Sequence, residues 1–304
     1  MQNNGTIEAG SALNALAQSV NQWTVRQPQF KTPVPGLMLY RHDGPTEPTS
    51  GLYEPCVCVV AQGRKSVSLG EDTYVYDARN YLVSSLHVPG IFQVLDASPE
   101  QPFLGICLIL DLREISQLVL DSHLPPPRRE PSHRGMATGM VDLELISAFQ
   151  RLVNLLSSEQ DIPILAPLIL REIYYRLLTG EQGARIRHMA TTGSITHQIA
   201  QAISWLKENF RSSVSMDELA ARVSMSASTF YQHFRTMTAV SPLQYQKQLR
   251  LHEARRLMLE ERFDASTAAF EVGYESPSQF NREYSRLFGA PPMRDIASMR
   301  RTVA

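Results

Sequence analysis

Three groups of residues in this sequence have side chains that could do chemistry. The first is Cys56, Cys58 and Cys107, since a thiolate is both a nucleophile and a soft metal ligand. Cys56-x-Cys58 falls on an expected strand, and its two side chains are taken to point to opposite faces, where they could not readily bridge each other. A cysteine held near Arg64 or Lys65 would be drawn toward its thiolate, although buried, inert cysteine is the commoner state. The second group is His42, His87 and His123. A cupin-type metal site needs two or three histidines and a carboxylate converging on the ion, typically with a His-x-His pair. These three stand alone, so no metal site, cofactor or catalytic residue is expected, and a metal enzyme is the weaker reading. The third group is polar and repeats at helical spacing: Ser228, Tyr231 and Gln232, then Ser278, Asn281 and Arg282. Glutamine can engage an adenine edge twice, arginine a guanine edge twice, and serine, tyrosine or asparagine can add further hydrogen bonds. Arg235, Ser285 and Arg286 follow one turn later, where a phosphate backbone would lie.

The elements that must position these residues can be read from the remaining pattern. The chain has 304 residues, 43% hydrophobic and 19% charged, enough for two domains with ordinary cores. No apolar run reaches the length of a membrane span, and Met1 to Gly10 lacks the form of a secretory signal. Three clustered cysteines make no disulfide framework and fit a reducing compartment. The expected location is therefore cytoplasmic, at the nucleoid when bound to DNA. A net charge of −1 conceals an asymmetry. Residues 195–304 hold 14 basic and 11 acidic residues, and the remainder holds 15 and 19. This is compatible with a polyanionic partner for the last third.

Thr6 to Val25 has apolar residues at helical spacing. From about 35 to 110 the texture becomes short β-rich runs: Val57–Ala61, Lys65–Leu69, Tyr74–Tyr76, Tyr81–Ser85, Ile91–Leu95 and Leu104–Leu110. Turn residues such as Leu69-Gly70-Glu71-Asp72 and Val88-Pro89-Gly90 divide them. Such a series predicts a small antiparallel barrel or sandwich. A helix follows Asp111, then an irregular loop from Pro125 to Gly139. Two apolar helices, about 141–156 and 163–179, are candidates for a dimer interface. We divide the chain into an amino-terminal domain over 1–180, a linker over 181–194, and an all-α domain over 195–304. The fold class is α+β.

The last third repeats. Ala220 and Val223 recur as Ala269 and Val272 at an offset of 49, while Ser226, Phe230, Phe234 and Pro242 recur as Ser276, Phe280, Tyr284 and Pro292 at an offset of 50. The one-residue slip lies in the turn between paired helices. Ser215-Met216-Asp217-Glu218 is a capping box. Ser241-Pro242 and Ser276-Pro277 place proline at the first helical position, and Asp264 caps the segment from Ala265. The spacing predicts helices over Ile195–Phe210, Met216–Val223, Ala227–Met237, Pro242–Glu260, Ala265–Val272, Pro277–Phe288 and Arg294–Arg300. Gly273 sits where the second turn needs a positive φ. Two helix-turn-helix units, at about 216–237 and 264–288, are therefore expected on one connecting helix.

The run from Ala269 to Pro292 (AFEVGYESPSQFNREYSRLFGAPP) resembles the second helix-turn-helix of AraC/XylS-type regulators. Met225-Ser226 to Phe234, with Ser241-Pro242 and Arg250 to Leu257, resembles the first unit and its linker helix. The likeness covers about 195–296. A looser likeness to the AraC-type amino-terminal domain rests on Val59-Val60-Ala61-Gln62-Gly63 and Tyr81-Leu82-Val83-Ser84-Ser85. Two positions depart from the pattern: Ala268, where isoleucine is usual, and Ser285, where lysine is common. The resemblance implies a cupin-like β-barrel that senses a small molecule and a homodimer that meets the transcription machinery. It also implies double-stranded DNA as partner, read in the major groove over two successive turns. A thiol- or electrophile-sensing regulator is the alternative.

Overall fold

The computed structural model describes residues 2–122, 124 and 134–303. His123 and most of the expected loop, 125–133, lie outside the described residues. The chain divides into two compact bodies. One comprises residues 1–48 and 53–197, the other 198–304 with the short stretch 49–52.

The amino-terminal body begins with α1 (Gln2–Thr24). The strands follow in chain order: β1 (Gln29–Lys31), β2 (Leu37–His42), β3 (Thr49–Tyr53, of which 49–52 are the stretch assigned to the other body), β4 (Cys56–Gln62), β5 (Arg64–Leu69), β6 (Asp72–Asp77), β7 (Asn80–Ser84), β8 (Val88–Asp96) and β9 (Phe103–Ile109). Then come α2 (Leu112–Asp121), β10 (Met136–Met140), α3 (Leu143–Asn154), α4 (Ile162–Thr179) and α5 (Gly183–Ala190). The strands of this body form two sheets, ordered β1-β2-β9-β4-β7-β10 and β8-β5-β6, rather than one closed barrel. Along β4 and β9 the side chains alternate, as the pleat requires. Val57, Val59, Ile106 and Leu108 join Leu16 and Val20 of α1 and Phe149, Leu152 and Val153 of α3 in one core. The opposite face carries Cys56, Cys58 and Cys107, with Cys58 directly across from Cys107 in register.

That placement corrects the expectation that Cys56 and Cys58 face apart. Residues i and i+2 of a strand share a face, because the side-chain period is two. Their sulfurs lie 3.8 Å apart.

Other differences have local causes. Val88-Pro89-Gly90 begins β8 instead of turning. The β5–β8 ladder pairs Ser68 with Ile91, so Pro89 precedes it and loses no bond there. Gly90 lies where a Cβ would come within 3.3 Å of Val67. Residues Met136–Met140, expected as loop, form a strand on β7. A Cβ at Gly139 would approach the tip of the Tyr81 ring to 2.5 Å, so glycine lets the two strands close with that ring in place. The expected linker contains α5, whose Ile186 and Met189 are buried in the main core.

The carboxyl-terminal helices are α6 (Ile195–Asn209), α7 (Met216–Arg222), α8 (Ala227–Thr238), α9 (Pro242–Glu260), α10 (Ala265–Glu271), α11 (Pro277–Phe288) and α12 (Pro292–Val303). Their starts follow the capping residues. The side chains of Ser215, Ser226, Ser241, Asp264 and Ser276 each accept from a backbone N–H in the first turn, worth about 1 kcal/mol apiece.

The repeat is longer than its motif suggests. Arg250 donates to the carbonyls of Phe210, Arg211, Ser212 and Gly273. Fifty positions on, Arg300 donates to the Met258 carbonyl at 2.8 Å. Each arginine ties down the chain leaving the first helix of its own repeat. Helix α9 thus closes the first repeat and opens the second.

Candidate nucleic-acid interface

Each helix-turn-helix unit must bury one face of its second helix so that the other is held outward. In the first, Phe230 and Phe234 of α8 are fully buried with ring centroids 5.5 Å apart. In the second, Phe280 and Tyr284 of α11 are equally buried, also at 5.5 Å. With those positions inside, the helical period turns Ser228, Tyr231, Gln232 and Arg235 out on α8, and Ser278, Asn281, Arg282 and Arg286 out on α11. All eight are exposed. Tyr231 is 40% exposed and steadied by an edge contact to Phe230.

Ser285 differs from the rest. It is half-buried, and its hydroxyl donates to the Asn281 carbonyl at 2.8 Å, so its proton is not free for a phosphate. Asn281, Arg282, Ser285 and Arg286 line an open depression of about 670 Å³ with Ala265 and residues Pro291 to Met293.

Charge is distributed purposefully around these faces. Several arginines are committed to carboxylates of the same domain. Arg255 makes a bidentate pair with Asp295 at 2.8 and 2.9 Å, and Arg256 binds Glu253, Glu260 and Glu261. Arg211 lies 3.4 Å from Glu271. By contrast the side chains of Arg235, Arg282 and Arg286 are exposed and make no ion pair or hydrogen bond among the described residues, which leaves their guanidinium groups to solvent. Glu283 on α11 would repel a phosphate, but it accepts from Lys247 at 2.9 Å and from Tyr274 at 2.7 Å. Burial alone would push its carboxyl up; Lys247, Tyr274 and Gln279 outweigh that and hold it below the usual carboxylate range.

The turn between α10 and α11 depends on Gly273, which has φ +89°. A Cβ there would lie 2.2 Å from the Arg211 carbonyl oxygen. The motif reading found Gly273, the caps and the outward residues. It did not find the carbonyl clamp of Arg250 or the Arg255–Asp295–Tyr284 chain, in which Tyr284 donates to Asp295 at 2.7 Å. Only the 50-residue spacing of Arg250 and Arg300 hinted at the clamp. The three cysteines and His42 belong to the amino-terminal body and form no part of this interface.

Two reading helices mounted on one shared helix, in a chain that also carries a sheet domain, define a DNA-binding regulator. The comparisons agree. A family model described as the AraC-type transcriptional regulator N-terminus matches residues 33–185, and a helix-turn-helix domain model matches 219–296. This chain belongs to the AraC-type transcription regulators. It is similar to the transcriptional activator RhaS of Escherichia fergusonii, 23% identical over 231 residues that span 75% of this chain and 76% of that one. RhaS of Klebsiella pneumoniae is 26% identical over 58% of this chain and 62% of its own length. Among solved structures, ToxT from Vibrio cholerae superposes with a TM-score of 0.60 at 12% identity, covering 86% of this chain and 97% of ToxT, a likeness of fold alone. No helix among the described residues is long and apolar enough to cross a membrane.

Proposed function

We propose that this regulator reads a bipartite operator, with α8 and α11 in successive major grooves on one face of the duplex. Base edges are taken by Ser228, Tyr231 and Gln232 in one groove and by Ser278, Asn281 and Arg282 in the next. Arg235 and Arg286 hold phosphates, with Ser285 the weakest of the set. The observation that carries this reading is the pair of outward polar faces, each fixed by a buried aromatic pair and left uncommitted by the fold. Helix α9 packs on both units and has 19 residues, hence a length of about 28 Å. That is compatible with reading heads separated by one turn of DNA, ~34 Å. Selection from randomised duplexes by the full chain should return two short blocks centred about one helical turn apart; a single block would sink the bipartite reading.

The same proposal gives the amino-terminal body the role of a sensor in a cytoplasmic homodimer that contacts the transcription machinery. One ToxT structure holds an unsaturated fatty acid and another a methylnaphthyl butenoic acid, which supports control by a small molecule. Ile164, Leu165, Leu168 and Tyr175 on α4 are exposed, and they motivate the dimer. Sedimentation of the full chain should give a dimer at micromolar concentration; a monomer with and without operator would remove α3 and α4 from that role. Binding should fall steeply with added salt as phosphate counterions are released.

A further inference from the structure

The space between the two sheets of the amino-terminal body holds a constellation that DNA reading does not use. β4 contributes Cys56 and Cys58, and β9 contributes Cys107. All three sulfurs lie within 4.8 Å of one another, those of Cys56 and Cys58 at 3.8 Å. Cys56 and Cys58 are buried and Cys107 is partly so. The Lys65 ammonium enters the same space from β5, 5.0 Å from the Phe92 ring centroid and 5.9 and 6.0 Å from those of Tyr40 and Tyr53. The Tyr53 hydroxyl is buried in the same body, with Tyr76 beside it.

Simple packing does not need three thiols on one point, and a disulfide would use two and strand the third. A metal ion uses all three. Three sulfurs about an ion at ~2.3 Å stand ~4 Å apart in trigonal geometry, close to the spacing found. No carboxylate or imidazole joins the cluster among the described residues, so hard cations that demand oxygen ligands are excluded. Soft ligands of this kind select thiophilic ions. Charge narrows the choice further. Three thiols binding a divalent ion release three protons and leave a complex of charge −1, which the Lys65 ammonium offsets in a poorly solvated space.

We propose that Cys56, Cys58 and Cys107 form a three-sulfur binding site for a soft divalent metal cation, with Lys65 as its counter-charge. The inference concerns this space alone and does not depend on how α8 and α11 meet DNA.

The test is titration of the full-length, fully reduced chain with cadmium chloride under argon, without DNA. One equivalent should bind, with a thiolate-to-cadmium charge-transfer band in the ultraviolet. Cys58→Ser and Cys107→Ser should each weaken binding on the order of 100-fold, and Lys65→Met by about 10-fold with the band retained. In case a serine variant unfolds, alkylation of the unaltered chain provides a second readout: cadmium should protect all three cysteines together. Absence of the band, affinity indifferent to the cysteine replacements, or protection of only two cysteines would overturn the site. So would a Cys58–Cys107 disulfide forming in air in a chain that takes up no cadmium when reduced.

Discussion

The two helix-turn-helix units were built from one plan, and equivalent positions now do different work. Ser224 and Gly273 are equivalent at the 49-residue offset, and both turns are left-handed, with φ +58° and +89°. The first unit accepts a serine there in an exposed position. The second needs glycine, because the Arg211 carbonyl stands where a side chain would begin. Fifty positions apart, Phe234 meets Tyr245 edge to face at 5.4 Å, whereas Tyr284 hydrogen-bonds Asp295. One anchor is aromatic packing, and the other is a buried charge chain completed by Arg255. The reading faces differ in the same sense: neutral Tyr231 and Gln232 against Asn281 and cationic Arg282. The first unit is thus held by shape and the second by polar geometry. The second should be the more easily broken by a single change.

That contrast is tested hardest at Asp295. Replacing it with alanine leaves Arg255 and the Tyr284 hydroxyl without their buried partner and should cost about 3–5 kcal/mol, read by denaturant unfolding. A loss below about 1 kcal/mol would mean that the charge chain behaves as a surface pair and the contrast fails. Gly273→Val comes next, at about 3 kcal/mol from positive φ and the carbonyl clash; unchanged thermal unfolding would refute the tight turn.

Acid should also single out the second unit. Burial, and secondarily the nearby Arg255, lowers the His252 pKa from 6.5 to about 4, and the ring packs against Phe288 at 5.1 Å. The folded protein holds His252 neutral while the unfolded chain protonates it. Stability is therefore full above pH 6.5 and lost as pH falls toward about 4, by up to about 3 kcal/mol. His252→Leu should flatten that part of the stability curve, and an unchanged acid slope would assign the loss elsewhere.

On DNA, Arg282→Ala should weaken operator binding by about 1–3 kcal/mol and relax choice at one base pair in the block read by α11. Gln232→Ala should relax choice in the other block with the salt slope intact. If both variants behave alike, the proposed division between a neutral and a cationic reader is wrong. The smallest effect is a gain: Ser224→Gly should add about 1 kcal/mol by removing a left-handed side chain, and a loss would show that Ser224 makes a contact worth more than its strain.

The carboxyl-terminal helices were far more legible than the sheets. Pro242–Glu260 and Pro277–Phe288 could be bounded at both ends, because Ser-Pro caps and a 3.6-residue apolar period are local signals. β2 and β3 passed unread, being short and flanked by polar turns. β10 and α5 were hidden in stretches rich in glycine and polar residues. Their formation rests on partners far away in the chain, Tyr81 for β10 and the main core for α5. The eight outward residues of α8 and α11 followed from placing the buried aromatics. The commitment of Ser285 to the Asn281 carbonyl did not, since both residues suit a polar surface equally well.

The sequence alone was enough to establish two repeated units, their caps, the connecting helix, the glycine turn and the outward sets on each reading helix. These depend on neighbours within a few residues, where backbone geometry and side-chain period leave little choice. Only the tertiary structure decided which arginines are committed within their own domain and which stay free, why Gly273 admits no Cβ, and that three cysteines separated by up to 51 positions meet at one point. Those outcomes depend on strand register and on helix packing between distant segments, which composition and spacing do not encode.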